Sequence, residues 1–162
     1  MDLYNTTTFE CSKLITEYYS TSFTLGIKTL DKRFHFPIYA IYGFVRYADE
    51  IVDTFHGFDK KALLNTFRTD TFKAIDEKIS LNPVIHSFQI VVNEYQIDHD
   101  LIKAFLHSME MDLYQSEYNQ VGYEEYIYGS AEVVGLMCLR VFCEGNNEMY
   151  QALKDDARSL GS

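Results

Sequence analysis

Apolar side chains recur at three- and four-residue spacing near positions 8–18, 37–55, 59–78, 82–94, 98–117, 123–143 and 146–159. That is the period of helices with one face turned to a core. Only Pro37 and Pro83 interrupt the chain; Pro37 suits the first turn of the second segment and Gly57 suits its end. The connections are short and polar, and no internal repeat, low-complexity tract or long linker separates the segments. The pattern predicts one all-α domain over residues 1–162, built from antiparallel neighbours.

The 37–55 segment departs from a simple amphipathic pattern. Tyr42, Arg46, Asp49 and Asp53 fall within roughly 60° of one another on a helix that advances about 100° per residue, so four polar side chains share one direction. Ile38, Ile41, Val45 and Val52 lie beside this seam, while Ala40, Phe44, Ala48 and Ile51 cover the far side. A helix apolar nearly all round is expected to be buried, and buried carboxylates are normally matched by cations. Arg46 can match one and a metal the rest. Asp49 and Asp53, at i and i+4, bring their Cβ atoms within about 6 Å, near enough to ligate one divalent ion or an adjacent pair. Mg²⁺ fits this chemistry: it prefers oxygen ligands, keeps much of its water, and takes one or two protein carboxylates while substrate phosphate completes its shell. A structural ion-pair cluster of Arg46, Asp49 and Asp53 accounts for the same helix.

Composition narrows the partners. The 162 residues are 47% hydrophobic and 15% aromatic, enough to bury a core of single-domain size. A net charge of −10 argues against nucleic acid or an anionic membrane surface, and an acidic protein that handles a diphosphate needs bridging cations. No run approaches about 18 uninterrupted apolar residues, so no membrane span is expected. The first residues lack a basic segment followed by an apolar one, and a cytoplasmic location is expected. Cys11, Cys138 and Cys143 are odd in number and form no Cys-x-x-Cys, which suggests core thiols rather than a disulfide or zinc framework. The histidines are scattered and read as surface or satisfied structural residues. Asp53-x-x-His56 alone has the i, i+3 spacing found in carboxylate-bridged di-iron bundles, but the Glu-x-x-His pairs of those bundles are missing.

Four stretches carry a more specific signal. Tyr19-Ser20-Thr21-Ser22-Phe23, the Tyr42…Arg46…Asp49-x-x-x-Asp53 helix, Met111-Asp112-Leu113, and Tyr128-Gly129-Ser130-Ala131-Glu132-Val133-Val134-Gly135-Leu136-Met137 occur in the order and spacing of the squalene and phytoene synthase family. The chain resembles the bacterial phytoene synthase branch most. The resemblance covers essentially the whole chain but only the amino-terminal half of the family's catalytic domain.

It implies a truncated isoprenoid synthase-like helical bundle and a head-to-head condensation of two prenyl diphosphates. The reaction implied is geranylgeranyl diphosphate to phytoene, in carotenoid biosynthesis, through a cyclopropylcarbinyl diphosphate, with Mg²⁺ assisting each ionisation. Asp49 and Asp53 match the family's first aspartate-rich motif. Arg46 would add a fixed positive charge, and Tyr42 holds the position from which a phenol approaches diphosphate oxygens. Ser20 and Ser22 match serines that lie by the diphosphate, although a capping pair is an ordinary role for such residues. The resemblance turns Asp112 towards the cavity. It makes Tyr128, Ala131, Gly135 and Leu139 a wall with room for an isoprenoid tail, where the ring of Tyr128 could stabilise a carbocation; helix packing explains the small residues equally well. Glu132 departs from the small residue that many relatives carry.

Asp49/Asp53 is the sole Asp-x-x-x-Asp of the sequence, whereas the family carries a second such cluster on a later helix. The expectation is therefore that these residues alone do not complete the reaction and that apolar helix faces are left exposed. A non-catalytic prenyl synthase-like assembly or binding protein is the alternative, and the intact aspartate motif weighs against it. The expected partner is a prenyl diphosphate. Lipid handling is compatible with peripheral membrane contact, although no basic amphipathic helix argues for it, and no pattern sets an oligomeric state.

Overall fold

Side chains that cap the first turns decide where most of the helices begin. The computed structural model describes residues 2–114 and 120–161, apart from the side chains of residues 120, 121 and 155–161. Among the described residues there are helices and no strand. In chain order they are α1 (Leu3–Tyr19), α2 (Thr21–Lys28), α3 (His35–Asp53), α4 (Lys60–Glu77), α5 (Pro83–Tyr95), α6 (His99–Tyr114), α7 (Gln120–Ile127), α8 (Val133–Phe142) and α9 (Asn147–Gly161). A 3₁₀ turn at Lys32–Phe34 leads into α3, and a π-helical turn at Tyr128–Glu132 joins α7 to α8.

Asp2, Ser20, Asp59 and Asn82 accept hydrogen bonds from the backbone N–H groups of Asn5, Phe23, Ala62 and Val84, respectively. These donors have no partner within their own helix. Pro83 opens α5, where a missing N–H costs nothing. At the other ends, Lys78 and Gln96 turn into left-handed conformations, φ 63° and 57°, and stop α4 and α5. Lys60 Nζ donates to the Val52 carbonyl at 2.6 Å, placing a cation on the carboxyl-terminal carbonyls of α3.

Most expected segments match a helix to within a few residues, and three differences have identifiable causes. α1 begins at Leu3 rather than near residue 8, because Asp2 caps it. α2 was not expected at all: Ser20 ends α1 and at the same time caps a second short helix. The single helix expected over 123–143 is interrupted at the π turn, where Gly129 meets α6. A Cβ on Gly129 would stand 2.6 Å from the Ala104 carbonyl oxygen and 2.8 Å from Ser108 Cβ, so only glycine permits this approach. The last residues of the expected 98–117 segment lie outside the described residues.

α3 is central, packing against α1, α2, α4, α5, α6 and α8. The residues expected on its far side are indeed enclosed: Ala40, Phe44 and Ala48 have no exposed surface. The Phe44 ring stacks on Phe88 of α5, with centroids 3.9 Å apart and planes 4° from parallel. It also meets Phe67 of α4 at 5.1 Å and Phe105 of α6 at 5.9 Å. Each such ring pair contributes about 0.5–1.5 kcal/mol beyond the area it buries. On the neighbouring face, a Cβ on Gly43 would lie 3.0 Å from Ser12 Oγ, which brings α1 close. Ser12 in turn shares a buried 2.8 Å hydrogen bond with Ser87 of α5, so the tight α1–α3–α5 junction leaves no hydroxyl unsatisfied.

Phe44→Ala is expected to lower the unfolding free energy by about 3–5 kcal/mol, read as a fall in the urea midpoint of the helical circular dichroism signal. Phe44→Leu, which keeps most of the apolar volume, should lose less. Equal midpoints for wild type and Phe44→Ala would remove this ring from its place at the centre of the core.

Candidate active site

The polar seam of α3 points roughly away from Phe44, and it is less buried than its apolar surroundings suggest. Tyr42, Arg46 and Asp49 are half-buried, and Asp53, the last residue of the helix, is exposed. The side chains of Arg46 and Asp49 keep 23% and 32% of their surface accessible. The expected burial is therefore corrected to a partly open face. Its apolar neighbours Ile38, Ile41 and Val52 are enclosed because they turn towards the packed side.

Within that face Arg46 forms only part of the ion-pair cluster that stood as the alternative to a metal site. Its Nη2 donates to Glu50 Oε1 at 2.6 Å, its Nη1 lies 3.9 Å from Asp49 Oδ2, and no ion pair joins it to Asp53 among the described residues. The guanidinium sits over the Tyr19 ring, 4.7 Å from its centroid. Thr54 Oγ1 donates to the other Glu50 oxygen at 2.9 Å. Burial acts to raise the Glu50 pKa, but hydrogen bonds from Arg46 and Thr54, the Arg46 charge and the Tyr19 hydroxyl overcome it and hold the carboxyl below its usual range. Sequence reasoning passed over Glu50. The signal was its i, i+4 spacing from Arg46, the separation at which helical ion pairs form.

Asp49 has the opposite character. Burial is the largest influence pushing its pKa from 3.8 up to about 6; Arg46 acts against it, and the charges of Asp53, Asp112 and Glu50 add to it. The structure thus brings Asp112 of α6 into the electrostatic neighbourhood of Asp49, although it lies far from it in sequence. Asp49 and Asp53 present hard oxygen donors whose charge Arg46 offsets only in part, a composition that fits a divalent cation. Among the described residues no three His, Cys, Asp or Glu side chains stand in metal-holding geometry, so Asp49 and Asp53 are the pair that could hold one. The alternative pair is not formed. α3 ends at Asp53, and His56 lies exposed in the following turn, so Asp53 and His56 do not share a helical turn.

Ser20 is the cap of α2, its Oγ accepting from the Phe23 N–H at 3.1 Å and standing 3.5 Å from Ser22 Oγ. Ser22 is exposed. Both serines line a mainly apolar cavity of about 520 Å³ together with Phe23, Ile38 of α3, and Cys138 and Phe142 of α8. The Phe23 ring contacts Tyr42 at 4.8 Å and so links the cavity to the seam. Tyr128 is half-buried on the π turn, as are Ala131, Glu132, Gly135 and Leu139 on and after it. Burial pushes the Cys138 thiol up to about 12, which suits a wall residue and not a nucleophile. The three cysteines are free; Cys143 is buried and Cys11 half-buried. His86 is a satisfied structural histidine, held by the Ser80 N–H and Asn5 Oδ1. No helix among the described residues is long and apolar enough to cross a membrane.

The sequence profile of squalene/phytoene synthase matches residues 16–162. No curated protein matches the chain. Among solved structures, the chain is similar to a dehydrosqualene synthase crystallised in complex with ligand. The two are 25% identical, with a TM-score of 0.82 over 97% of this chain and 53% of that one. It also shares the fold of squalene synthase HpnC from Alicyclobacillus acidocaldarius, at 18% identity and a TM-score of 0.83, over 99% of this chain and 60% of that one. The chain therefore spans between half and two thirds of these two structures.

A raised carboxyl pKa has a fixed consequence for stability. The folded chain binds this proton more tightly than the unfolded chain, so the Asp49 carboxylate becomes destabilising as pH rises from 3.8 through about 6. Asp49→Asn is accordingly expected to raise the melting temperature at pH 7.5 in the absence of divalent cations, with the gain shrinking towards pH 4. Thermal denaturation across that range checks it; a variant less stable than wild type at pH 7.5 would contradict the electrostatic picture.

Proposed function

Because the chain belongs to the squalene/phytoene synthase family, we propose that it forms one wall of a Mg²⁺-dependent enzyme that joins two prenyl diphosphates head to head. The observation that carries this reading is the Asp49–Asp53 pair, whose charge Arg46 offsets only in part, on a face of α3 that the contact of Tyr42 with Phe23 joins to an apolar cavity. The substrate proposed is geranylgeranyl diphosphate, and the product phytoene, formed through a cyclopropylcarbinyl diphosphate.

Asp49 and Asp53 would hold the cation, which when bound supplies the positive charge that a departing diphosphate requires. With a pKa of about 6, Asp49 is mostly ionised at neutral pH and able to ligate. Arg46, held to Glu50 by Nη2, offers Nη1 as a fixed charge for diphosphate oxygens. The hydroxyls of Tyr42, Ser20 and Ser22 can donate to the same oxygens: Ser20 accepts one backbone N–H and keeps its own proton to give. Phe23, Ile38 and Phe142 exclude water from the isoprenoid chain, and aromatic faces, those of Phe23 and Tyr128 among them, stabilise a passing carbocation. A cytoplasmic location with peripheral membrane contact suits a charged substrate and a hydrocarbon product.

The test is incubation of the complete enzyme, of which this chain is the proposed wall, with Mg²⁺ and geranylgeranyl diphosphate, the lipid product being identified by mass spectrometry. Phytoene is expected. Asp49→Ala and Asp53→Ala should each reduce turnover by at least about a hundredfold with helicity retained. Retained turnover in both variants would defeat the cation-binding role; a hydrocarbon formed from a shorter prenyl diphosphate instead would overturn the substrate assignment.

A further inference from the structure

Arg46 has two carboxylates within reach and is hydrogen-bonded to one and in a long ion pair with the other. Its Nη2 lies 2.6 Å from Glu50 Oε1, while Nη1 stops 3.9 Å from Asp49 Oδ2, beyond hydrogen-bonding length. The two acids sit at i+4 and i+3 from the arginine, positions that a long, flexible side chain reaches comparably well. Spacing on the helix therefore does not choose between them.

The surroundings do. Thr54, one turn further along α3, fixes the second Glu50 oxygen at 2.9 Å. Tyr19, arriving from α1, places its ring against the guanidinium at 4.7 Å. The Glu50 side chain is 16% exposed against 32% for Asp49, so its ion pair is the less screened by water. Glu50 and Tyr19 also border a separate cavity of about 460 Å³, which neither Asp49 nor Asp53 lines. In this arrangement Glu50 draws the guanidinium to the side of α3 away from the serine-lined cavity.

We propose that Glu50 is a positioning residue that holds Arg46 beyond hydrogen-bonding distance of Asp49, leaving the Asp49–Asp53 pair only partly compensated and available to a divalent cation. The inference rests on the cation-binding role assigned above to that pair. Without Glu50, the guanidinium swings the short remaining distance onto Asp49, occupies the charge that the cation would meet, and spends on a neighbour the Nη1 donor otherwise free for an anion.

The test is Mn²⁺ binding alone, measured by titration calorimetry on wild type, Glu50→Gln, Arg46→Gln and the double variant. Glu50→Gln is expected to weaken Mn²⁺ binding by roughly three- to tenfold, and the loss should disappear when the same substitution is made in the Arg46→Gln background. Unchanged affinity in Glu50→Gln overturns the proposal. So does an equal loss in both backgrounds, which would mark a plain through-space effect of the missing charge or general damage to the helix. Should Glu50→Gln fail to fold, Thr54→Val loosens Glu50 without altering charge; a smaller loss, again abolished by Arg46→Gln, is expected, and no loss overturns the proposal. Wild-type protein that binds no Mn²⁺, or whose binding survives Asp49→Ala, would instead sink the cation reading on which the inference stands.

Discussion

Phe44 fixes the rotation of α3 about its own axis, and the direction of every polar group on that helix follows from it. Its ring is held on three sides by Phe67, Phe88 and Phe105, one from each of α4, α5 and α6. A quarter turn of α3 would pull the ring out of that contact and drive Ser12 into the surface where Gly43 now lets α1 approach. With those two constraints satisfied, Tyr42, Arg46, Asp49 and Asp53 must project to the opposite side, because the helical period leaves them nowhere else to go. The core thus positions the charged face without touching it.

That face is electrostatically unbalanced, and the imbalance is local. Glu50 is saturated with donors, from Arg46, Thr54 and Tyr19, whereas its sequence neighbour Asp49 is short of them and crowded by other acids. Two adjacent carboxyls on one helix therefore have opposite properties: one is a structural anchor, the other a group whose ionisation the fold resists. A carboxyl held in this way is a candidate functional group. The apolar cavity that starts at Phe23, in contact with Tyr42, adjoins the same face.

Much of this was legible in the sequence. The alternation of apolar residues set out the main helices, and the phase of Tyr42, Arg46, Asp49 and Asp53 against Phe44 and Ala48 defined both sides of α3. The short motifs pointed to the squalene/phytoene synthase family, to which the chain belongs. What stayed hidden depends on contacts between elements. Ser20 closes one helix and opens another, which periodicity cannot separate when the second is only two turns long. The depth of the seam was overestimated because apolar composition reports how a helix is flanked and not which of its sides remains open. Arg46 lies closer to Glu50 than to Asp49 in surroundings that include Tyr19, a residue on another helix. The π turn follows from the close approach of Gly129 to Ala104, and no one-dimensional pattern carries that.

The π turn also sets the angular phase of everything after it. Val133 closes its backbone bond on Tyr128, five residues back, so the turn absorbs one residue more than a regular α-helix would. Were the same residues wound as regular α-helix, the one left over would rotate α8 by about 100° relative to α7. Cys138 and Phe142 would leave the cavity wall while the sequence of α8 stayed intact. The winding of this short stretch therefore acts as a mechanical setting: which face of α8 looks into the cavity is decided by the backbone upstream as much as by the side chains on the helix itself.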